Sequence, residues 1–73
     1  MEPEVALGKV LRALRTQAGL SQEQLALEAD LQRNYISLLE RGVNSASVKT
    51  LFKLAGVLGT SPSQMLARAE ELL

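Results

Sequence analysis

Apolar residues recur at intervals of three and four along almost the whole chain, the spacing that places them on one face of a helix. No strand-like alternation lasts more than a few residues, and there are no repeats, linkers or low-complexity segments. Aromatic residues make up only 3% of the 73 residues, so the core is aliphatic, which suits helices better than a sheet. The sequence therefore predicts an all-α fold in a single domain that covers residues 1–73.

Helix start and stop signals divide the chain into five predicted helices. The first covers roughly residues 4–18, and Pro3 suits its first turn because no backbone N–H is needed there. The second begins at Ser21, which forms a capping-box pattern with Gln24. It should end near Asp30, because aspartate can occupy the left-handed conformation of a helix end, though less readily than glycine.

The other three helices are bounded in the same way. The third is predicted over about residues 32–40 and the fourth over about 47–58, each followed closely by a glycine. The fifth is predicted to be capped by Ser61, with Pro62 at its first position. Three apolar residues of the fifth helix are expected to face inward: Met65, Leu66 and Ala69.

The residue types that most chemistry needs are absent. The chain has no histidine and no cysteine, which removes the commonest general base near neutral pH, the commonest metal ligand and any disulfide. There are no paired carboxylates in an apolar setting and no glycine-rich phosphate loop. We therefore expect no enzymatic activity, no metal and no cofactor. RNA binding by stacking is disfavoured, because Tyr35 and Phe52 are the only aromatic residues.

The charges are balanced in number but unevenly distributed. The formal net charge is zero, which argues mildly against strong non-specific binding of nucleic acid. From Asn34 to Arg68, however, Glu40 is the only acid, so a neutral chain can still carry one basic face. The first residues lack the pattern of a secretory signal, and no apolar stretch approaches the ~20 residues that span a bilayer. A cytoplasmic protein with no membrane partner is expected.

The connection between the second and third helices is very short. Only two or three residues around Asp30–Leu31 join them, which excludes an antiparallel pair and forces the steep crossing of a helix-turn-helix. The polar first turn of the third helix, residues 32–34, then projects outward, while Ile36 and Leu39 bury the opposite side. An ordinary amphipathic helix with a polar first turn would show the same pattern.

Two segments carry a family resemblance. GLSQEQLA at residues 19–26, followed by YISLLERG at residues 35–42, resembles the lambda-repressor/Cro (XRE-type) helix-turn-helix family of bacterial and phage regulators. The resemblance covers about residues 7–66, and the tyrosine-containing RNYIS also resembles restriction–modification controller proteins. It implies a compact five-helix lambda-repressor-like domain and a transcriptional regulator, which is a repressor, an activator or both according to where its operator lies. It also implies a homodimer on double-stranded DNA, with the third helix in the major groove of a roughly palindromic operator.

The resemblance also assigns roles to individual residues. Four positions fall where family members place base-facing side chains: Gln32, Arg33, Asn34 and Leu38. Five positions fall where family members meet phosphates: Ser21, Gln22, Arg41, Asn44 and Ser45. Tyr35 is expected either to donate to a phosphate or to pack its ring against the second helix, and Gln32 could instead cap the third helix or contact a phosphate. Arg15 and Glu40 match a salt bridge between the first helix and the end of the third.

The chemistry of these residue types agrees with most of the assignments. Arginine can bind guanine, and asparagine can bind adenine, with two hydrogen bonds each in the major groove. The side chain of Leu38 cannot form hydrogen bonds; it could touch a thymine methyl group, or it could simply be exposed. The N–H groups that open the second helix favour a phosphate near Ser21. The chain departs from the family pattern at three positions. A Ser or Thr cap is more usual at the position of Gln32, a glycine is common at the position of Asp30, and a proline is common at the position of Ala46.

The partners follow from the same resemblance. We expect the region of the fifth helix to form the dimer contact through four apolar residues, because the apolar end of the chain has little core to join: Leu58, Met65, Leu72 and Leu73. No small-molecule ligand is expected. The alternative is a protein-interaction module on the same fold, such as an antitoxin, which would need an added segment that wraps its partner.

Overall fold

The computed structural model describes all residues from Met1 to Leu73 and contains five helices and no strand. The all-α prediction is confirmed, and the predicted helix ends differ from the observed ones by about one residue. None of the helices is both long and apolar enough to cross a membrane. The helices are α1 (Pro3–Gln17), α2 (Gln22–Ala29), α3 (Arg33–Glu40), α4 (Val48–Leu58) and α5 (Pro62–Glu71).

Serine side chains begin three of the helices: the caps at Ser21 and Ser61 were predicted from the sequence, and the cap at Ser47 was not. The Ser21 hydroxyl accepts a hydrogen bond from the Gln24 amide at 3.0 Å. The Ser21 amide in turn donates to the Gln24 side chain at 2.8 Å, which completes the capping box. Ser47 and Ser61 likewise accept from a backbone amide in the first turns of α4 and α5. These local bonds fix where each helix starts.

A single left-handed residue ends α2 and sets the direction of α3. Asp30 has φ of 56°, and it is the only residue other than glycine with a positive φ. The next amide, that of Leu31, donates to the Ala26 carbonyl at 2.8 Å, which closes the end of the helix. Three residues separate Ala29 from Arg33, so the short connection predicted for the helix-turn-helix is present, and α2 packs against α3.

The core lies where the five helices meet. α1 packs against α3 and α5, and α2 packs against α3 and α4. Four large side chains are fully buried there: Leu25, Ile36, Leu54 and Met65. Burial of each such side chain contributes roughly 1.5–3 kcal/mol. Because Ile36 and Leu39 face this core, the opposite side of α3 is turned toward solvent.

Two glycines allow the end of α3 to approach α1 closely. A Cβ atom added to Gly8 would clash with the carbonyl oxygen of Leu39 and would lie 2.8 Å from that of Glu40. Gly42 has φ of +73°, and a Cβ there would lie 2.7 Å from Cγ2 of Val5. The C-terminal end of α3 therefore rests directly on the first half of α1.

One expectation for α5 is wrong. Met65 and Ala69 are buried, as predicted, but Leu66 is 46% exposed. Met65 and Ala69 are four residues apart and share one face of the helix, whereas each successive residue is rotated by about 100°. Leu66 therefore points away from the core, along the edge of α5.

Candidate nucleic-acid interface

The first turn of α3 projects from the body of the molecule. Gln32, Arg33 and Asn34 are all exposed, and they are held by the buried Ile36 and Leu39 on the other side of the same helix. The structure thus brings the three predicted base-facing polar residues together on one exposed turn. Their amide and guanidinium groups can donate to, or accept from, the edge of a base.

Gln32 does not cap α3 with its side chain. It occupies the N-cap position in an extended conformation, and no side-chain hydrogen bond closes the first turn. The capping alternative for Gln32 is therefore not observed. The first N–H groups of α3 keep no side-chain partner, so they can donate to a phosphate or a bound base.

Sequence reasoning missed Ser37 as part of the outward face of α3. Ser37 lies four residues after Arg33 and three after Asn34, so the three side chains are neighbours on the helix surface. Leu38 is half-buried at the edge of the same face. The helical spacing from Arg33 was the signal that would have identified Ser37.

The half-buried Tyr35 packs its ring against the hydrophobic core. This placement agrees with an inward-packed ring and leaves the hydroxyl to meet a phosphate; the expected contact of the ring with the second helix stays a prediction. The phosphate contact of Tyr35 remains a prediction.

Arg15 and Glu40 form the expected ion pair between α1 and the end of α3. The Arg15 Nε donates to Glu40 Oε2 at 2.6 Å, and Nη2 donates to Oε1 at 3.0 Å. A third bond runs from Arg15 Nη1 to the Leu20 carbonyl at 2.9 Å. The hydrogen bond to Glu40 raises the pKa of Arg15 above its ordinary value, although burial acts in the opposite sense. The two side chains are only 12% and 4% exposed, so the pair is well shielded from solvent.

Gln22 joins this pair from α2, which the sequence did not predict. Its Nε2 donates to Glu40 Oε1 at 3.0 Å, so one carboxylate links α1, α2 and α3. The two residues are eighteen positions apart, and no local pattern connects them. Because a side-chain amide has two N–H groups, Gln22 keeps a second donor for a phosphate.

The other predicted phosphate-contacting residues lie at the surface. Ser21 is exposed at the start of α2, Arg41 follows the last residue of α3, and Asn44 is exposed in the loop before α4. Ser45 is also exposed, but its hydroxyl donates to the Glu4 carboxylate at 3.4 Å. A carboxylate beside Ser45 repels a phosphate, so Ser45 is the weakest of this group.

The predicted dimer residues do not form one exposed surface. Met65 is completely buried in the core, so its assignment to a dimer contact is wrong. Leu58 is half-buried, whereas Leu72 and Leu73 are exposed. Sequence reasoning overlooked an exposed apolar strip on α4, where Val48 is 73% exposed and Phe52 is 63% exposed. Their spacing of four residues was the available signal.

Comparison with known proteins places this geometry in a family. Residues 11–65 match the model of the helix-turn-helix family HTH_3. The chain is also similar to the control protein C.BamHI from Bacillus amyloliquefaciens. The two sequences are 40% identical over 60 residues, which cover 81% of this chain and 74% of that protein.

Two solved structures share the fold closely. The restriction–modification controller protein C.AhdI from Aeromonas hydrophila superposes with a TM-score of 0.82 at 42% identity, covering 85% of this chain and 94% of that one. SinR, a master regulator for biofilm formation solved in complex with DNA, superposes with a TM-score of 0.79 at 30% identity. That match covers 82% of this chain and 97% of that one.

Proposed function

This chain belongs to the helix-turn-helix family HTH_3, a family of DNA-binding transcriptional regulators rather than enzymes, and we propose how it binds its operator. A homodimer binds a roughly palindromic site on double-stranded DNA in the cytoplasm, with α3 of each copy in the major groove. The observation that carries this proposal is the exposed polar first turn of α3, which the helix-turn-helix holds away from the body. The similarity to C.BamHI and C.AhdI supports a regulator of the restriction–modification controller type.

Base recognition is assigned to the outward face of α3. Arg33 contacts a guanine through its two parallel donors, and Asn34 contacts an adenine. Each such pair discriminates by roughly 1–3 kcal/mol against the wrong base. Gln32 and Ser37 flank them and add single hydrogen bonds, and Leu38 lies where it can touch a thymine methyl group.

Phosphate contacts are assigned to three places around α3. At the start of α2, Ser21 and the second amide hydrogen of Gln22 meet one phosphate beside the free N–H groups of the helix. Arg41 contacts a second phosphate at the C-terminal end of α3. Asn44 and the Tyr35 hydroxyl contact phosphates on the same DNA strand as Arg41. These contacts fix the register of the protein on the duplex without reading its sequence.

The dimer contact is assigned to the apolar strip on α4. Val48 and Phe52 present adjacent apolar side chains to solvent, and Val43 in the preceding loop is also exposed. A second copy that packs its own strip against this one removes the apolar surface of both copies from water. Because α4 follows α3 after a short loop, this pairing joins the two copies next to their DNA-reading helices. Two such helices would contact half-sites about 34 Å apart.

The DNA-binding proposal is tested by selection from a random pool of duplex DNA at fixed salt. An inverted repeat is expected for the unaltered protein, and Arg33→Ala should lose its preference at one symmetric pair of positions. Arg41→Ala should weaken all sites alike and keep the motif. Recovery of no motif, with weak salt-sensitive binding only, would reject base reading by α3.

The dimer proposal is tested by sedimentation across the micromolar range. Phe52→Glu should shift the protein to a monomer and lower its affinity for the palindromic site. Leu72→Glu, which places the same charge on the exposed leucine just after α5, is the matched control and should remain dimeric. The opposite result, a dimer lost only with the Leu72 substitution, would move the contact to α5 and refute the α4 strip.

A further inference from the structure

A half-open apolar groove lies on the side of the molecule where α1, α4 and α5 meet. Its volume is about 460 Å³, and ten of its sixteen lining residues are hydrophobic. Its floor is the core itself, because Leu11, Leu54 and Met65 line it while remaining almost completely buried. Leu66 and Leu73 form part of its rim and are exposed. We call this feature the α1–α5 groove.

The α1–α5 groove arises from loose contact between α4 and α5, not from a missing side chain in the core. α5 packs extensively against α1 but much less against α4. Three residues of the loop between α3 and α4 also line the groove: Asn44, Ser45 and Ala46. A preformed apolar cleft of this size lies in the range that binds small organic molecules, which is roughly 300–1,000 Å³.

The charge at the rim selects the kind of molecule. Glu4 and Glu70 are the only charged side chains in the lining, and both are acids on different helices. One oxygen of Glu4 accepts from the Ser45 hydroxyl at a long 3.4 Å, which leaves its other oxygen for a ligand. A cation at this rim is attracted to both carboxylates, whereas an anion is repelled by both.

We propose that the α1–α5 groove binds a small amphiphilic cation, with its apolar body against Leu7, Leu54 and Leu66 and its protonated amine between Glu4 and Glu70. The apolar body displaces water from the exposed Leu66 and the half-buried Leu7, and the amine stays at the wet rim, where its desolvation costs little. The groove also includes Leu39 of α3, so a bound ligand contacts the helix that is proposed to read DNA. The site itself does not depend on DNA binding.

The probe for this site is octylammonium, used below its micellar concentration with the full chain and without DNA. Two probes with a similar apolar chain serve as controls: octanoate, which carries a negative charge, and octanol, which carries no charge. Two-dimensional NMR of the methyl and amide groups reports where each probe binds. Octylammonium should give saturable shifts at the leucines of the groove. It should also bind about tenfold more tightly than octanoate, with octanol between them.

The Glu4→Gln/Glu70→Gln double variant tests the role of the rim. This variant should bind octylammonium no more tightly than it binds octanol. It should retain the spectrum of the folded protein, because neither glutamate side chain belongs to the core. Glu23→Gln/Glu28→Gln, which neutralises two exposed acids of α2, is the matched control and should keep the full preference for the amine.

Three results would overturn the proposal. The first is equal binding of octanoate and octylammonium to the unaltered protein, a comparison that needs no variant. The second is a set of shifts centred on Val48 and Phe52 instead of the groove. The third is a change of the groove resonances with protein concentration in the absence of any probe, which would mean that a second copy fills the groove.

Discussion

Gly8 of α1 lies against the carbonyl oxygen of Glu40 at the end of α3, and a Cβ atom at Gly8 would be 2.8 Å from that oxygen. Gly8→Ala must therefore push the two helices apart. We expect it to lower the free energy of unfolding by about 1–3 kcal/mol, as overpacking of a core does. Urea denaturation followed by circular dichroism measures this loss.

The matched control for Gly8 is Gly56, which also lies inside a helix but has open space where a Cβ would be. Gly56→Ala should raise the stability by roughly 0.5–1 kcal/mol, because alanine is the better helix former. If both alanine variants are stabilised, the helices are not in the close contact described here.

The carboxylate of Glu40 accepts hydrogen bonds from both Arg15 and Gln22. Glu40→Leu leaves the guanidinium of Arg15 largely buried without its partner, and we expect a loss of about 3 kcal/mol. Arg15→Met combined with Glu40→Leu should restore much of that loss, because no charge then remains buried. A double-mutant cycle by urea denaturation gives the coupling, and simple additivity of the two single changes would contradict the ion pair's role.

Asp30 holds a left-handed backbone conformation at the end of α2. Asp30→Gly relieves this strain at some cost in chain entropy, so we expect a net gain of up to about 1 kcal/mol in stability. Asp30→Ala should lose about 1 kcal/mol, because the left-handed conformation costs alanine more than it costs aspartate. Thermal melting should rank glycine above aspartate and aspartate above alanine; any order that puts alanine first contradicts the observed φ.

Arg41 is exposed one residue beyond α3, where we assign it to a phosphate. Arg41→Gln should reduce the slope of log affinity against log salt by about 1, because one counterion fewer is released. Fluorescence anisotropy with the selected operator at several salt concentrations measures the slope. Arg68→Gln removes an equally exposed arginine on α5 and should leave the slope unchanged; equal slopes for both variants would remove Arg41 from the interface.

The helix boundaries were predictable because their signals are local. Ser21, Ser47 and Ser61 each bond an amide within their own first turn, and Asp30 ends α2 by its own backbone conformation. Such features depend on neighbours three or four residues away, so the sequence carries them directly. The exposed polar turn of α3 followed from the shortness of the connection at Asp30 for the same reason.

The features that sequence analysis missed depend on distant parts of the chain. Gly8 in the middle of a predicted helix gives no sign that another helix touches it. Gln22 reaches Glu40 only because the fold brings α2 beside the end of α3. Leu66 and Phe52 are apolar and helical, and their exposure is decided by how far α5 and α4 are covered by the other helices.

Hydrogen bonds in the Arg15–Glu40–Gln22 cluster hold the last turn of α3 against α1 and α2. The side chains that we assign to base contacts lie mostly in the first turn of the same helix. The residues that orient the helix are therefore not the residues that would choose the operator. If the first turn reads the operator as proposed, a substitution of Arg33 or Asn34 would change the target and leave the Arg15–Glu40–Gln22 cluster intact. The residues that hold the helix and the residues proposed to read DNA could therefore be substituted independently of each other.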